Sequence, residues 1–207
     1  MALRKERTAQ EYTRVLRSSL EEAERLSRLA GDLLTLTRSE AGAQQLQLKE
    51  DDLADRVRNA LERFKQQAEE KDFEVQGPTS PGVLLNMDVD LMDRVIWNLL
   101  DNALKFTPSG GKVKASVVET DGTTVLEVSD TGPGIPEDTL DQVFQRFFRI
   151  DEARTSEVEP GGTGLGLAIV RAIVELHGGT VSAANGPEGG SVFRVFIPCC
   201  GIVKNPS

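Results

Sequence analysis

From about Thr8 to Glu40 the chain contains no proline and one glycine, Gly31, and small or apolar residues recur at Tyr12, Leu16, Ser19, Ala23, Leu26, Ala30, Leu33 and Thr37. The spacing alternates threes and fours, the pattern of a coiled-coil or bundle helix. Leu20, Leu29, Leu34 and Leu36 widen the stripe beyond a two-helix seam, so the helix calls for more than one partner. It cannot bury that stripe alone. The stretch "SEAGAQ" at 39–44 supplies a glycine stop.

Past that stop the pattern shifts to short elements. Strands are predicted near 46–48, 73–76, 83–86, 112–118, 123–129, 180–184 and 191–197, and helices near 51–71, 90–105 and 163–177, with a short one near 137–142. They do not alternate strictly as β-α-β, which favours a mixed sheet covered on one face by helices. The expected organisation is a long helix in 1–42, an α/β domain over 43–200 and a tail at 201–207. The segment "RIDEARTSEVEPGG", 149–162, is polar, lacks a period and ends in glycines, so it is predicted to be a mobile loop.

Composition removes several classes. Hydrophobic residues at 39% and charged residues at 28% describe an ordinary soluble chain, with no apolar run long enough to cross a bilayer. The N-terminus lacks the apolar core of a secretory signal, and the two cysteines, Cys199 and Cys200, are adjacent, a poor geometry for a structural disulfide. The expected compartment is the reducing cytoplasm. A formal net charge of −9 opposes general nucleic-acid binding, which wants a basic face.

Four segments can carry chemistry. In "DRVIWNLLDNALKFTP", 93–108, Arg94, Asn98, Asn102 and Lys105 form one polar stripe on an otherwise apolar helix. The asparagines offer carbonyl oxygens to a hard cation such as Mg²⁺, and Lys105 offers a point charge to phosphate. A solvated helix face would look the same. In "TTVLEVSDTGPGIP", 123–136, Asp130 shares strand parity with Leu126 and Val128, which places its carboxylate at the floor of the domain. A ligand amine such as that of adenine would satisfy it, with Gly132 and Gly134 letting backbone approach the ring; the alternative is a Pro-Gly turn whose Asp bonds its own backbone.

In "GGTGLGLAIVRAIVELHGG", 161–179, glycines 161, 162, 164 and 166 run straight into an apolar helix, whose N-terminal N–H groups and dipole suit phosphate. The dinucleotide fingerprint fails here because no strand precedes the glycines and its third Gly or Ala would fall on Leu167 or Ile169. The P-loop fails because no Gly-Lys-Ser/Thr follows. In "DQVFQRFFRID", 141–151, Phe144, Phe147 and Phe148 could anchor a loop base while Arg146 and Arg149 project toward phosphate, or else the aromatics are core and the arginines solvated.

In this order the four segments resemble the N, G1, F and G2 boxes of the catalytic ATP-binding domain of bacterial sensor histidine kinases, within the GHKL ATPase and kinase superfamily. They stand here as "NLLDNALKFTP", "DTGPGIP", "VFQRFFRID" and "GGTGLGL". The stretch "LEEAERLSRLAGDLLTLTRSEAG" resembles the second helix of the family's dimerisation and phosphotransfer hairpin, so the likeness spans 11–198. The resemblance implies a two-layer α/β sandwich of the Bergerat type, a mixed sheet with three helices, preceded by one long helix. It also implies an ATP-dependent protein kinase that phosphorylates a histidine for relay to a response regulator.

Residue by residue, the resemblance implies that Asn98 and Asn102 hold Mg²⁺ against the triphosphate, Lys105 contacts phosphate, Asp130 binds the adenine amine and Phe106 lines the adenine pocket beside Gly132, Gly134 and Ile135. Arg146 and Arg149 would reach the γ-phosphate. Gly162, Gly164 and Gly166 would form the hinge and phosphate-facing end of a lid over roughly 150–162, with Thr163, Leu165 and Leu167 among the nucleotide-binding residues.

The departure concerns the acceptor. The family's acceptor histidine lies on the first hairpin helix, yet the only histidine here is His177, at the foot of a glycine-stopped helix where capping explains it better than catalysis. The expectation is a chain that starts just before the second hairpin helix, binds Mg·ATP and does not phosphorylate itself by the usual route. Its intact form would be membrane-anchored or cytoplasmic. A homodimer through residues 8–40 is open. Rival readings are another GHKL-type ATPase, or an interaction module in which the 8–40 helix docks a partner under nucleotide control.

Overall fold

The computed structural model describes residues 9–40, 44–70, 73–79, 82–150, 163–187 and 189–199. The predicted 150–162 lid, apart from Ile150, and with it Gly162, lies outside the described residues, as does the 201–207 tail. A long helix α1 (Ala9–Glu40) comes first, followed by β1 (Leu48–Asp52), α2 (Leu53–Glu70), β2 (Glu74–Gln76) and β3 (Leu84–Asp88). Then come α3 (Val89–Phe106), β4 (Lys112–Thr120), β5 (Thr123–Asp130), a short 3₁₀ turn at Glu137–Thr139, α4 (Gly166–Leu176), β6 (Thr180–Asn185) and β7 (Ser191–Pro198).

Five strands form one sheet in the order β2-β4-β5-β7-β6, and β1 pairs with β3 in a separate two-stranded ribbon. Only β2 runs parallel to its neighbour, so the sheet is mixed, as predicted. Alternation decides its faces. Thr124, Leu126, Val128 and Asp130 of β5 are buried beside Val113, Ala115 and Val117 of β4 and Phe193, Val195 and Ile197 of β7. On this face lie Leu91, Val95, Leu99 and Ala103 of α3 and Ile169, Ile173 and Val174 of α4, joined by Leu53, Val57 and Phe64 of α2 in one core cluster. The opposite face carries polar pairs such as Arg194 Nε donating to Glu127 Oε2 at 2.7 Å.

The two-layer sandwich with three helices, preceded by a long one, is the arrangement expected. The ribbon is a correction. A strand near 46–48 and a helix from 51 were predicted, but the strand is Leu48–Asp52, "LKEDD", and the helix starts at Leu53. Its residues are half-buried or exposed, so no apolar alternation marks it. Pairing with β3 holds it, and Asp52 Oδ1 accepts the N–H groups of Ala54 and Asp55 as it hands the chain to α2.

Near its C-terminus α1 rests on the domain: Leu36 and Thr35 are buried, and Arg94 Nη1 of α3 donates to Thr35 Oγ1 at 2.9 Å. Toward the other end Tyr12, Leu16 and Leu20 stay exposed, so among the described residues this part of the stripe packs against nothing. Among the described residues no helix is long and apolar enough to cross a membrane.

Candidate functional site

Helix α3 carries the first part of the site. Asp88 caps it, its Oδ1 accepting the N–H of Leu91, and eight buried apolar residues fix which face turns inward. The polar stripe thereby faces outward, but its members do different things. Arg94 turns to α1, as described. Asn98 donates through Nδ2 to the Arg94 carbonyl at 2.9 Å, which leaves Oδ1 directed at the start of α4. A β-carbon at Gly166 would stand 2.9 Å from that oxygen, so glycine there makes room for it. Asn102 is half-buried. Lys105 pairs with Asp101 one turn back on its own helix.

The second part is the end of β5. Asp130 is 6% exposed, at the floor position that strand parity predicts. Oδ1 accepts from the N–H of Gly132 at 2.7 Å and of Ser191 at 3.3 Å, and Oδ2 accepts from the Ser191 hydroxyl. The self-bonded turn and the floor carboxylate are therefore both real. A carboxylate has about four acceptor sites, and three donors leave room for one more from a ligand. At Gly132 a β-carbon would fall 2.5 Å from the carbonyl oxygen of Phe106, the last residue of α3, so the Asp-Thr-Gly-Pro-Gly turn presses on the helix that carries Asn98. Phe106 is partly exposed beside it.

The third part joins the phenylalanine segment to the glycine loop. The N–H of Phe147 donates to the Gly164 carbonyl at 2.8 Å, and Gly164, at φ +69°, has no space for a β-carbon against the backbone of Phe147 and Phe148. Phe144 is buried edge-on against Phe193. Phe147, expected as a loop anchor with Phe144 and Phe148, is instead 64% exposed with φ +59°, because its backbone, not its ring, makes the contact to Gly164. Arg146 and Arg149 are exposed on the same segment.

Helix α4 begins at Gly166, three residues later than predicted, with Leu165 as its N-cap and no side-chain cap bond. Leu165 is buried, its N–H donating to Thr163 Oγ1 at 3.3 Å, and Leu167 and Ile169 anchor the first turn. The first-turn N–H groups thus lie uncapped beside Asn98 Oδ1, where an anion would complete them. At the other end His177 is 2% exposed with both ring nitrogens bonded within the protein.

Two participants escaped sequence reasoning. Ser191, the first residue of β7, holds Asp130. Asn185, the last of β6, holds Ile135 by its backbone. The paired glycines 189 and 190 ahead of β7 were the available signal: a β-carbon at Gly190, φ +75°, would fall 1.8 Å from the Asp130 carbonyl oxygen, so this loop has to abut the end of β5.

Residues 87–200 match the family described as histidine kinase-, DNA gyrase B-, and HSP90-like ATPase. Among curated proteins, the chain is 41% identical over 181 residues to hybrid signal transduction histidine kinase D of Dictyostelium discoideum, covering 84% of this chain and 11% of that protein. It is 36% identical over 200 residues to sensor protein IrlS of Burkholderia pseudomallei, covering 96% of this chain and 42% of that one. The chain thus spans less than half of each. Among solved structures, Acinetobacter baumannii histidine kinase AdeS superposes with TM-score 0.75 at 27% identity, over 95% of this chain and 88% of that one. Full-length ShkA in complex with AMPPNP superposes with TM-score 0.75 at 29% identity, over 94% of this chain and 40% of that one.

Proposed function

The chain belongs to the histidine kinase-, DNA gyrase B- and HSP90-like ATPase family, as the catalytic ATP-binding domain of a sensor histidine kinase, and on that premise we propose that it binds ATP with Mg²⁺ and delivers the γ-phosphoryl group to a histidine outside this chain. The observation that carries the reading is the set of close glycine contacts, Gly166 on Asn98, Gly132 on Phe106 and Gly164 on Phe147, which draw four separated segments together. Support for nucleotide binding also comes from ShkA, solved with AMPPNP.

Each residue then has a task. Asp130 accepts the adenine amine, with Gly132, Gly134 and Ile135 shaping the slot and Phe106 at its edge. The uncapped N-terminus of α4, with Thr163, Gly164, Leu165 and Leu167 setting its approach, receives phosphate. Asn98 and Asn102 offer neutral amide oxygens, which suit a hard cation that keeps several waters, and the missing side chain at Gly166 leaves room for the Asn98 oxygen. Magnesium, when bound, neutralises charge on the transferring phosphoryl group. Lys105 contacts phosphate by exchanging Asp101 for it, while Arg146 and Arg149 stabilise the γ-phosphate from the phenylalanine segment.

The acceptor is external because His177 is unsuitable: it is buried, and its two ring nitrogens are engaged by Ile173 and Asp88. In-line transfer needs an accessible nucleophile. Residues 1–42 would supply the second helix of a dimerisation hairpin, 43–200 the catalytic domain and 201–207 a tail. The exposed Tyr12, Leu16 and Leu20 then meet an acceptor helix or a second copy. The cytoplasm is the proposed compartment, and a response regulator the final phosphoryl acceptor.

Incubation of the chain with γ-labelled ATP and magnesium, with and without a separate acceptor-helix domain, tests this. Label on the added domain only is expected. Stable acid-labile label on this chain alone, or undetectable ATP binding, overturns it.

A further inference from the structure

The hairpin β6–β7 does more than close the sheet. Asn185 and Ser191 face each other in register, the last residue of one strand and the first of the next. Ser191 takes hold of Asp130, as above. The Asn185 side chain reaches to Ile135, its Oδ1 accepting the Ile135 N–H and its Nδ2 donating to the Ile135 carbonyl, each at 2.8 Å. One register pair therefore grips both ends of the turn 130–135.

The Asn185 contact resembles a missing rung of sheet. After β5 ends at Asp130 no strand among the described residues pairs with Ile135, and a side-chain amide carries one acceptor and donors in the spacing that a backbone peptide would. Ile135 is also buried against the core, so the amide and the apolar packing fix it together. The room for the amide is made by Gly134, at φ +75°, where a β-carbon would stand 2.8 Å from Asn185 Oδ1. That glycine has therefore two reasons to be there, its left-handed backbone and the amide beside it. The loop behind is closed in turn by the Gly186 N–H donating to the Gly190 carbonyl at 3.0 Å.

We propose that Asn185 is a positioning residue for base recognition: by clamping Ile135 it sets the distance between the turn backbone and the Asp130 carboxylate, and so the width of the slot that admits adenine. The inference rests on the nucleotide-binding reading above. Asn185 touches no reacting atom. Its effect passes through Ile135, so it belongs to the affinity for the base and not for the phosphates, which meet α3 and α4.

The experiment compares wild type and Asn185→Ala for binding of ATP and of inorganic tripolyphosphate, each with magnesium, alongside amide hydrogen exchange at Ile135 and thermal unfolding. For Asn185→Ala the expected result is ATP affinity lowered about tenfold, the order for losing two hydrogen bonds that hold a binding surface, with tripolyphosphate affinity unchanged and faster exchange at Ile135. ATP affinity within twofold of wild type, or equal weakening of both ligands, overturns the inference. If the alanine variant does not fold, Asn185→Asp, which keeps the acceptor and loses the donor, is read by the same criteria. A wild type that binds neither ligand overturns the nucleotide reading itself, and the inference with it.

Discussion

The backbone N–H of Asp88, at the start of α3, donates to Nε2 of His177, at the end of α4, over 3.0 Å, while His177 Nδ1 donates to the Ile173 carbonyl at 2.8 Å. The two helices flanking the site are thereby tied through a neutral imidazole, since Nε2 can accept only when it carries no proton. A capping histidine at a helix C-terminus is favoured as a cation by the dipole, but here burial wins and lowers the pKa of His177 below its ordinary 6.5.

Stability follows in sign. A histidine whose folded pKa is depressed contributes stability that is fully present above about pH 6.5 and is lost as pH falls from there through the folded pKa, because only the unfolded chain binds the proton readily. Urea unfolding at pH 7.5 and pH 5.5 should show wild type weaker at the lower pH. In His177→Gln the gap between the two pH values should shrink, and ATP binding at pH 7.5 should survive. An unchanged gap would remove His177 as the cause.

Asp130→Asn keeps the size of the side chain and an acceptor for Gly132 or Ser191, so the fold should persist. It places an amide where a donor from the base would arrive, and ATP affinity should fall by about tenfold to a hundredfold. Isothermal titration calorimetry, with circular dichroism as the control for folding, measures both.

Two glycines separate site from scaffold. Gly166→Ala adds a methyl group 2.9 Å from Asn98 Oδ1, but alanine also suits the first turn of a helix, so thermal stability should hold within about 1 kcal/mol while magnesium-dependent ATP affinity drops. Gly190→Ala meets the Asp130 backbone at φ +75° and should cost on the order of 3 kcal/mol or prevent folding. Equal stability losses in the two variants would contradict this division.

Gly31 lies within α1, and among the described residues nothing beyond its own chain neighbours and helix backbone comes within 4 Å of where its β-carbon would go. Gly31→Ala should therefore raise α1 helicity and stabilise the chain by about 0.5–1 kcal/mol, read by circular dichroism and denaturant unfolding, with no change in ATP affinity.

Elements with strong local patterns were legible in advance. The apolar alternation of β5 located Asp130 and the apolar face of α3 located Asn98, since both patterns are repeats set by backbone geometry, while the glycines ahead of α4 marked an open helix N-terminus through local backbone freedom. The polar β1 strand, whose sequence "LKEDD" carries no such repeat, was misplaced, because only its pairing with β3 makes it a strand.

The chain order of four motifs, the parity of a strand and the face of a helix were determined by sequence alone, because periodicity and turn chemistry act within a few residues. Tertiary structure decided which polar groups meet: Ser191 with Asp130, Asn185 with Ile135, Arg94 with Thr35, and His177 with Asp88. Those partners lie 50 to 89 residues apart, and only the closing of the sheet and the packing of the helices bring them within hydrogen-bonding distance.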